Sequence, residues 1–194
     1  ELKLDKGGGV GGGELKRAAW IGMGVAALGI LIYITLRFEF AYAVGAIIAL
    51  LHDVLICLAF FFFFNYQLSL TAVGALLTVA GYSLNDTIVI FDRIREEFKL
   101  RGEKFGFMNL INLSVNETLG RTLLTSTAAL IAALSLYIFG GGVIHDFAFI
   151  LVVGIIAGTY SSVFIASPVL LLWHPSQLVP QEKQERAGAK RQIV

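Results

Sequence analysis

Asp86 stands in the run Gly81-Tyr-Ser-Leu-Asn-Asp-Thr-Ile-Val-Ile-Phe-Asp-Arg-Ile-Arg95, which begins inside an apolar stretch and ends in a burst of charge. A carboxylate at the centre of a membrane costs roughly 2.5–3.5 kcal/mol on insertion scales, so one kept there is a candidate for function. Asn85 and Thr87 flank it and could shape its hydrogen bonding. Arg121 lies within one or two helical turns of it by depth, and Thr122, Thr125, Ser126 and Thr127 follow. A neighbouring arginine favours the charged form of a carboxylate, while burial favours the neutral form. A carboxylate held between those pulls can take up and release a proton, as intramembrane relays do. The competing reading is a static ion pair that fixes the packing of two helices. His52-Asp53, mid-way through another apolar stretch, also admits two readings. The histidine could shuttle protons, or the pair could be helix glue bonded to neighbouring backbone and hydroxyls. His145-Asp146, near a span end, reads as a solvated pair.

Other chemistries fail on spacing. Histidines 52, 145 and 174 make no metal-ligand set, and Cys57 is the single cysteine, so it has no disulfide partner in the chain. Gly7, Gly9 and Gly12 formally match a dinucleotide fingerprint, but no strand precedes this low-complexity run, which reads as a flexible linker. No P-loop or nucleophile elbow is present. The expectation is therefore a non-enzyme without metal or cofactor. The basic residues group by topology and form no single patch, which argues against a nucleic-acid partner.

These residues must be positioned by membrane helices. The 194-residue chain is 57% hydrophobic and only 15% charged, which places it in the membrane class. Stretches near the ~20 residues that cross hydrocarbon predict five spans, at 18–36, 41–64, 71–91, 122–139 and 147–173. Residues 1–17 form a polar, glycine-rich lead-in, and 174–194 a basic tail. The connection 92–121 opens with charge, including the i,i+4 pair Arg93 and Glu97, so the third helix should project past the membrane. Within it, Asn109, Asn112 and Asn116 share one helical side between aliphatic positions. That pattern predicts an amphipathic helix lying along the membrane surface. With 92–121 placed in the cytoplasm, eleven Lys/Arg lie on that side and four on the other, which satisfies the positive-inside rule. The N-terminus of the chain is then extracytoplasmic and the C-terminus cytoplasmic. Five spans starting outside predict a fragment, with an earlier span and an external domain upstream.

Packing signals accompany the spans. Gly154-Ile-Ile-Ala-Gly158 is a GxxxG, and Gly45/Ala49 and Ala128/Ala132 are small-xxx-small pairs, which let helices approach closely. Packing within the chain is the reading preferred here over packing against another subunit. Phe60 to Phe64 are expected to face lipid and the membrane interface.

The motif from Gly81 to Arg95, together with Asn116-Glu-Thr-Leu-Gly-Arg-Thr-Leu-Leu-Thr-Ser126 and His52-Asp-Val54, resembles the SecF family of the bacterial SecDF protein-export complex. The likeness covers roughly Gly12 to Trp173. It implies an all-α, polytopic bundle of the RND permease superfamily, showing the last five spans of a six-span half. It also implies an accessory subunit of the Sec translocase in the bacterial inner membrane, coupling the proton-motive force to polypeptide export. The partners implied are SecD, the SecYEG channel, the SecA motor indirectly, YidC, the translocating polypeptide and membrane lipids. Asp86 and Arg121 match the family residues implicated in proton conduction, whereas the role of His52 and Asp53 is unassigned. The alternative is a structural assembly subunit without ion coupling. Whether sodium replaces the proton is left open by the residues.

Overall fold

A computed structural model describes residues 11–37, 40–66, 69–102 and 105–172. The architecture is a bundle of long helices: α1 (Gly11–Arg37), α2 (Phe40–Phe63), α3 (Leu70–Arg101), α4 (Phe107–Phe139) and α5 (Val143–Ser161). After α5 the chain continues through a π-turn at Ser162–Ala166, a short turn at Ser167–Val169 and a 3₁₀ turn at Leu170–Leu172. Four of the five expected spans are long and apolar enough to cross a membrane, namely α2, α3, α4 and Val143–Leu172. The chain is thus an all-α, multi-pass membrane protein. The remaining expected span falls in α1, whose apolar stretch is Gly24–Thr35.

The lead-in differs from expectation. From Gly11 it is helical and continuous with the stretch that follows, because Glu14, Leu15, Lys16 and Arg17 are good helix formers that extend the first turns. The glycines at 7 and 9, and the basic tail from Trp173 onward, lie outside the described residues.

α3 is the most enclosed of the candidate spans and α4 the most exposed. The side chain of Ser69 caps α3 by accepting the Ala72 N–H at 3.1 Å. Gly102, at φ +67°, ends it, a conformation that glycine adopts without steric cost. Its 32 residues reach about 48 Å at 1.5 Å per residue, well beyond the ~30 Å of a hydrocarbon core. The expected charged projection is therefore present.

The amphipathic segment is helical, but it is not a separate surface helix. Residues 107–139 form one continuous helix of 33 residues. No proline interrupts it, and its apolar face is already occupied. Leu110 and Ile111 are buried, and Phe107 meets Phe98 of α3 edge-on with ring centroids 6.1 Å apart. Asn109, Asn112 and Asn116 are exposed on the other side, as their spacing predicted. The two projections form an upright helical hairpin, pinned where Arg93 Nε of α3 donates to Glu117 Oε2 of α4 at 2.6 Å. Arg93 also pairs with the buried Glu97 at 2.8 Å, the expected i,i+4 bridge.

Close packing within the chain uses the GxxxG. A methyl group at Gly154 would fall 2.2 Å from Val79 Cγ2, and one at Gly158 would fall 3.1 Å from Ser83 Cβ. These two glycines therefore seat α5 directly on α3. Gly45 does the same for α2 against the π-turn, where a methyl would lie 3.2 Å from the Ala166 carbonyl. Ala128 and Ala132 are exposed, so α4 does not spend its small pair inside this chain.

The apolar core is divided in two. One cluster holds Tyr42, Ala46, Phe91, Ile94, Ile111 and Leu170. The other holds Cys57, Phe61, Leu76, Val79 and Ile150. Phe61 departs from the expectation for its run: it is fully buried and stacked on Tyr66 at 5.1 Å, while Phe60, Phe62, Phe63 and Phe64 are exposed. His145-Asp146 falls in the first turn of α5, not before it, and the His145 ring stacks on Tyr137 at 4.3 Å. The pair is therefore half-packed instead of freely solvated.

Candidate functional site

Between the two apolar clusters lie buried polar groups, built around two aspartates. Asp86 projects from the enclosed face of α3, 3% exposed. Ser126 Oγ of α4 donates to its Oδ2 at 3.2 Å. Thr159 Oγ1 of α5 lies 2.8 Å from Ser126 Oγ and 2.7 Å from the Ile155 carbonyl, so its single proton serves one or the other. A string of hydroxyls thus runs from α5 through α4 to the carboxylate on α3.

Arg121 does not touch this carboxylate. Among the described residues no ion pair within 4.0 Å involves Arg121, although it lies close enough to act on Asp86 electrostatically. Its exposed side chain lines a cavity of ≈ 590 Å³ with Asp92, Arg93, Arg95, Glu96 and Lys99, at the root of the charged hairpin. The static ion pair considered from sequence is not formed. Asn85 points outward and is exposed; Thr87 is buried, but neither it nor Asn85 bonds to Asp86. The group that does is Ser126.

Asp53 is fully enclosed on α2. Ser83 Oγ of α3 and Ser161 Oγ of α5 both donate to its Oδ2, the latter at 2.7 Å. His52 Nδ1 lies 3.0 Å from its Oδ1. One carboxylate therefore links α2 to α3 and α5 through two hydroxyls. Ser83, Thr159 and Ser161 were not singled out by the sequence, because isolated hydroxyl residues in apolar spans resemble ordinary small packing residues. The GxxxG held a usable signal. It marks where α5 meets a neighbour at close range, and Thr159 and Ser161 follow it directly.

Neither aspartate sits in a metal-ligand cluster, and no group of three His, Cys, Asp or Glu occurs among the described residues.

Residues 2–176 match the family described as protein export membrane protein SecD/SecF, C-terminal. The chain belongs to the SecD/SecF family. It is 52% identical over 162 residues to the protein translocase subunit SecF of Calditerrivibrio nitroreducens, covering 83% of this chain and 53% of that protein. To the SecF subunit of Thermodesulfovibrio yellowstonii it is 47% identical over 169 residues, covering 87% of this chain and 56% of the relative. Among solved structures it is similar to SecDF of Thermus thermophilus, a translocon-associated membrane protein. That match has a TM-score of 0.79 and 41% identity, over 82% of this chain and 22% of the other. A second SecDF structure, in a super-membrane-facing form, has a TM-score of 0.77 and 37% identity over 93% of this chain and 23% of that one. The chain spans about half the length of the curated relatives it matches. The polar groups described above thus belong to the helical bundle that this family shares.

Proposed function

We propose that this chain is the membrane bundle of a SecF-type subunit that couples the proton-motive force to polypeptide export across the bacterial inner membrane. Asp86 is the proton-carrying group in this reading, and Arg121 modulates it. SecD supplies the other half of the unit, and the SecYEG channel, with SecA and YidC, supplies the setting in which it works.

One observation supports this most. Asp86 is buried, yet its contacts are a hydroxyl string and not a cation. A carboxylate locked in an ion pair stays charged, and breaking such a buried pair costs about 3–5 kcal/mol. A carboxylate held by a hydroxyl accommodates both of its protonation states, since a hydroxyl can donate to the charged form or accept from the neutral one. Arg121, unbound and facing a cavity at the end of the bundle, can respond to the charge on Asp86 without having to release it. Proton arrival would then change the balance between α3 and α4, and the charged hairpin carries that change to one end of the molecule.

The test is proton-driven export in membrane vesicles with Asp86→Asn at matched expression and SecD association. Loss of stimulation by the proton gradient, with assembly intact, is the expected result. Stimulation equal to wild type would remove proton coupling from Asp86 and leave the scaffold reading in its place. Repeating the assay with a sodium gradient separates the two candidate ions.

A further inference from the structure

We propose that the groove between α2 and α5 seats one further membrane-spanning helix, which belongs to the part of the SecF-type subunit outside these 194 residues and presents a hydroxyl or carboxamide side chain to His52. The groove holds ≈ 390 Å³ and is walled by Ile56 and Phe60 of α2 and by Val153, Ile156 and Tyr160 of α5. Its lining recurs at helical spacing on both sides, so it is a furrow about two turns long that runs with the helices. Apart from the imidazole and the phenol, its walls are apolar. A furrow of that form and chemistry suits an apolar helix laid along it.

Two polar groups in the groove define what covers it. His52 stands mid-way along α2, at a depth where hydrocarbon supplies no water to bond it. Asp53 engages one ring nitrogen, Nδ1, at 3.0 Å. The His52 side chain is nonetheless 32% exposed, and nothing among the described residues bonds its other nitrogen, Nε2. Across the groove Tyr160 is 54% exposed, with its ring 6.5 Å from the imidazole, and its hydroxyl has no partner among the described residues either. A lipid acyl chain could cover the apolar walls but would leave both polar groups unbonded. A neighbouring helix can supply the bond, since side chains of this kind pair across helices in membranes. Neutral imidazole donates from Nε2 in one tautomer and accepts there in the other, and a hydroxyl or carboxamide answers both. The contact therefore needs no titration of His52.

The same subunit has chain enough to provide the helix. The curated SecF relatives are matched along only 53% and 56% of their length, so they carry nearly as much sequence again outside the matched region. Within the present chain α1 is already placed, packed on α2 and α3 with Ile34 in the cluster of Tyr42 and Phe91. A helix tethered in the same subunit reaches the groove as an intramolecular contact, at an effective concentration that a separate chain does not have. This seat is independent of the role given to Asp86.

The test uses the full-length subunit, expressed with SecD in native membranes. A photo-crosslinking residue replaces Ile56 or Val153, one on each wall of the groove, and the products are mapped by peptide mass spectrometry. Both positions are expected to join one apolar segment of the same subunit outside these 194 residues. In His52→Leu that product is expected to fall about threefold, the size of a typical polar contact between membrane helices, while His52→Gln retains it. Adducts to lipid alone, to SecD or to a second copy of the subunit overturn the proposal. Equal yields from His52→Leu and wild type overturn the contact assigned to His52. Should His52→Leu fail to fold, the mapping from Ile56 and Val153 decides alone. Neither readout involves transport, so failure of the Asp86 assay and failure of this one are told apart.

Discussion

At the scale of single residues, the two buried aspartates have different partners, and substitution separates them. Asp53→Ala would strand the Ser83 hydroxyl in the interior and leave Ser161 only the Gly158 carbonyl, 3.3 Å away. Each unsatisfied buried group costs about 1–3 kcal/mol, so a clear loss of folded protein is expected, measured as the yield of monodisperse protein after heating in mild detergent. Asp86→Asn leaves Ser126 a partner and should be nearly neutral in the same assay. Ser126→Ala takes away the one side-chain hydrogen bond that Asp86 receives among the described residues. Bonds to charged groups contribute about 1.5–3 kcal/mol, so the pH profile of gradient-driven export should be displaced by about one unit or more while assembly is retained. An unchanged profile would mean that the hydroxyl string is incidental to the carboxylate. Asp86 itself was legible from sequence, because an acid inside an apolar run is costly and conspicuous. Its hydroxyl partners were not, because serine and threonine in a span carry no comparable penalty. Their separations of 40 residues for Ser126 and 108 for Ser161 from its aspartate leave no local pattern to find.

At the scale of elements, the glycines of α5 set the register. Gly154→Leu would drive a side chain into Val79, where even a methyl would stand 2.2 Å from Cγ2. Overpacking of this kind costs about 1–3 kcal/mol, and the expected readout is reduced folded yield. Ala128→Leu, on the exposed side of α4, should leave the yield of the isolated chain unchanged. The helical hairpin offers a second check. If α4 runs unbroken from Phe107, amide hydrogen exchange should show continuous protection through Leu119–Thr122. A patch of fast exchange there would restore the separate surface helix. The sequence favoured that helix because periodicity reports which face is apolar and says nothing of what covers it. Here the cover is α3, through Phe98 and Ile94, instead of lipid. The projection of α3 was readable for the opposite reason, since Arg93 and Glu97 form a pair that only a continued helix can make.

At the scale of the whole molecule, α4 leaves its outer face open. Leu123, Leu124 and Ile131 are exposed, and a groove of ≈ 320 Å³ between α4 and α5 borders Ser126 and Thr159. Under the proposed function this face meets the SecD half, which would shield the hydroxyl string from lipid. A photo-crosslinker at Leu123 is then expected to join the chain to SecD, whereas one at Phe63, on the far end of α2, should label lipid. Equal labelling at both positions would argue that the open face is lipid-facing. The bundle class and four of the five expected spans followed from hydropathy alone. The polar groups between the two apolar clusters did not, since their layout depends on how five helices rotate about their axes.

The π-turn at Ser162–Ala166 alters how the end of this chain must be read. Gly154, Gly158 and Ser161 follow the usual spacing of a buried helical stripe, but Ser162 beside them is enclosed as well, and Ala166, Ser167 and Leu170 follow. The π-turn holds one residue more than a regular helical turn over the same rise. Pro168 lies at the same place, and its missing N–H leaves the Phe164 carbonyl without its usual partner. A helical wheel drawn straight through the segment is therefore out of phase by about 100° beyond Ser162. Removing one residue between 163 and 165 would close the π-turn into a regular helix and leave Leu170 in the pocket beside Gly45 that it now fills.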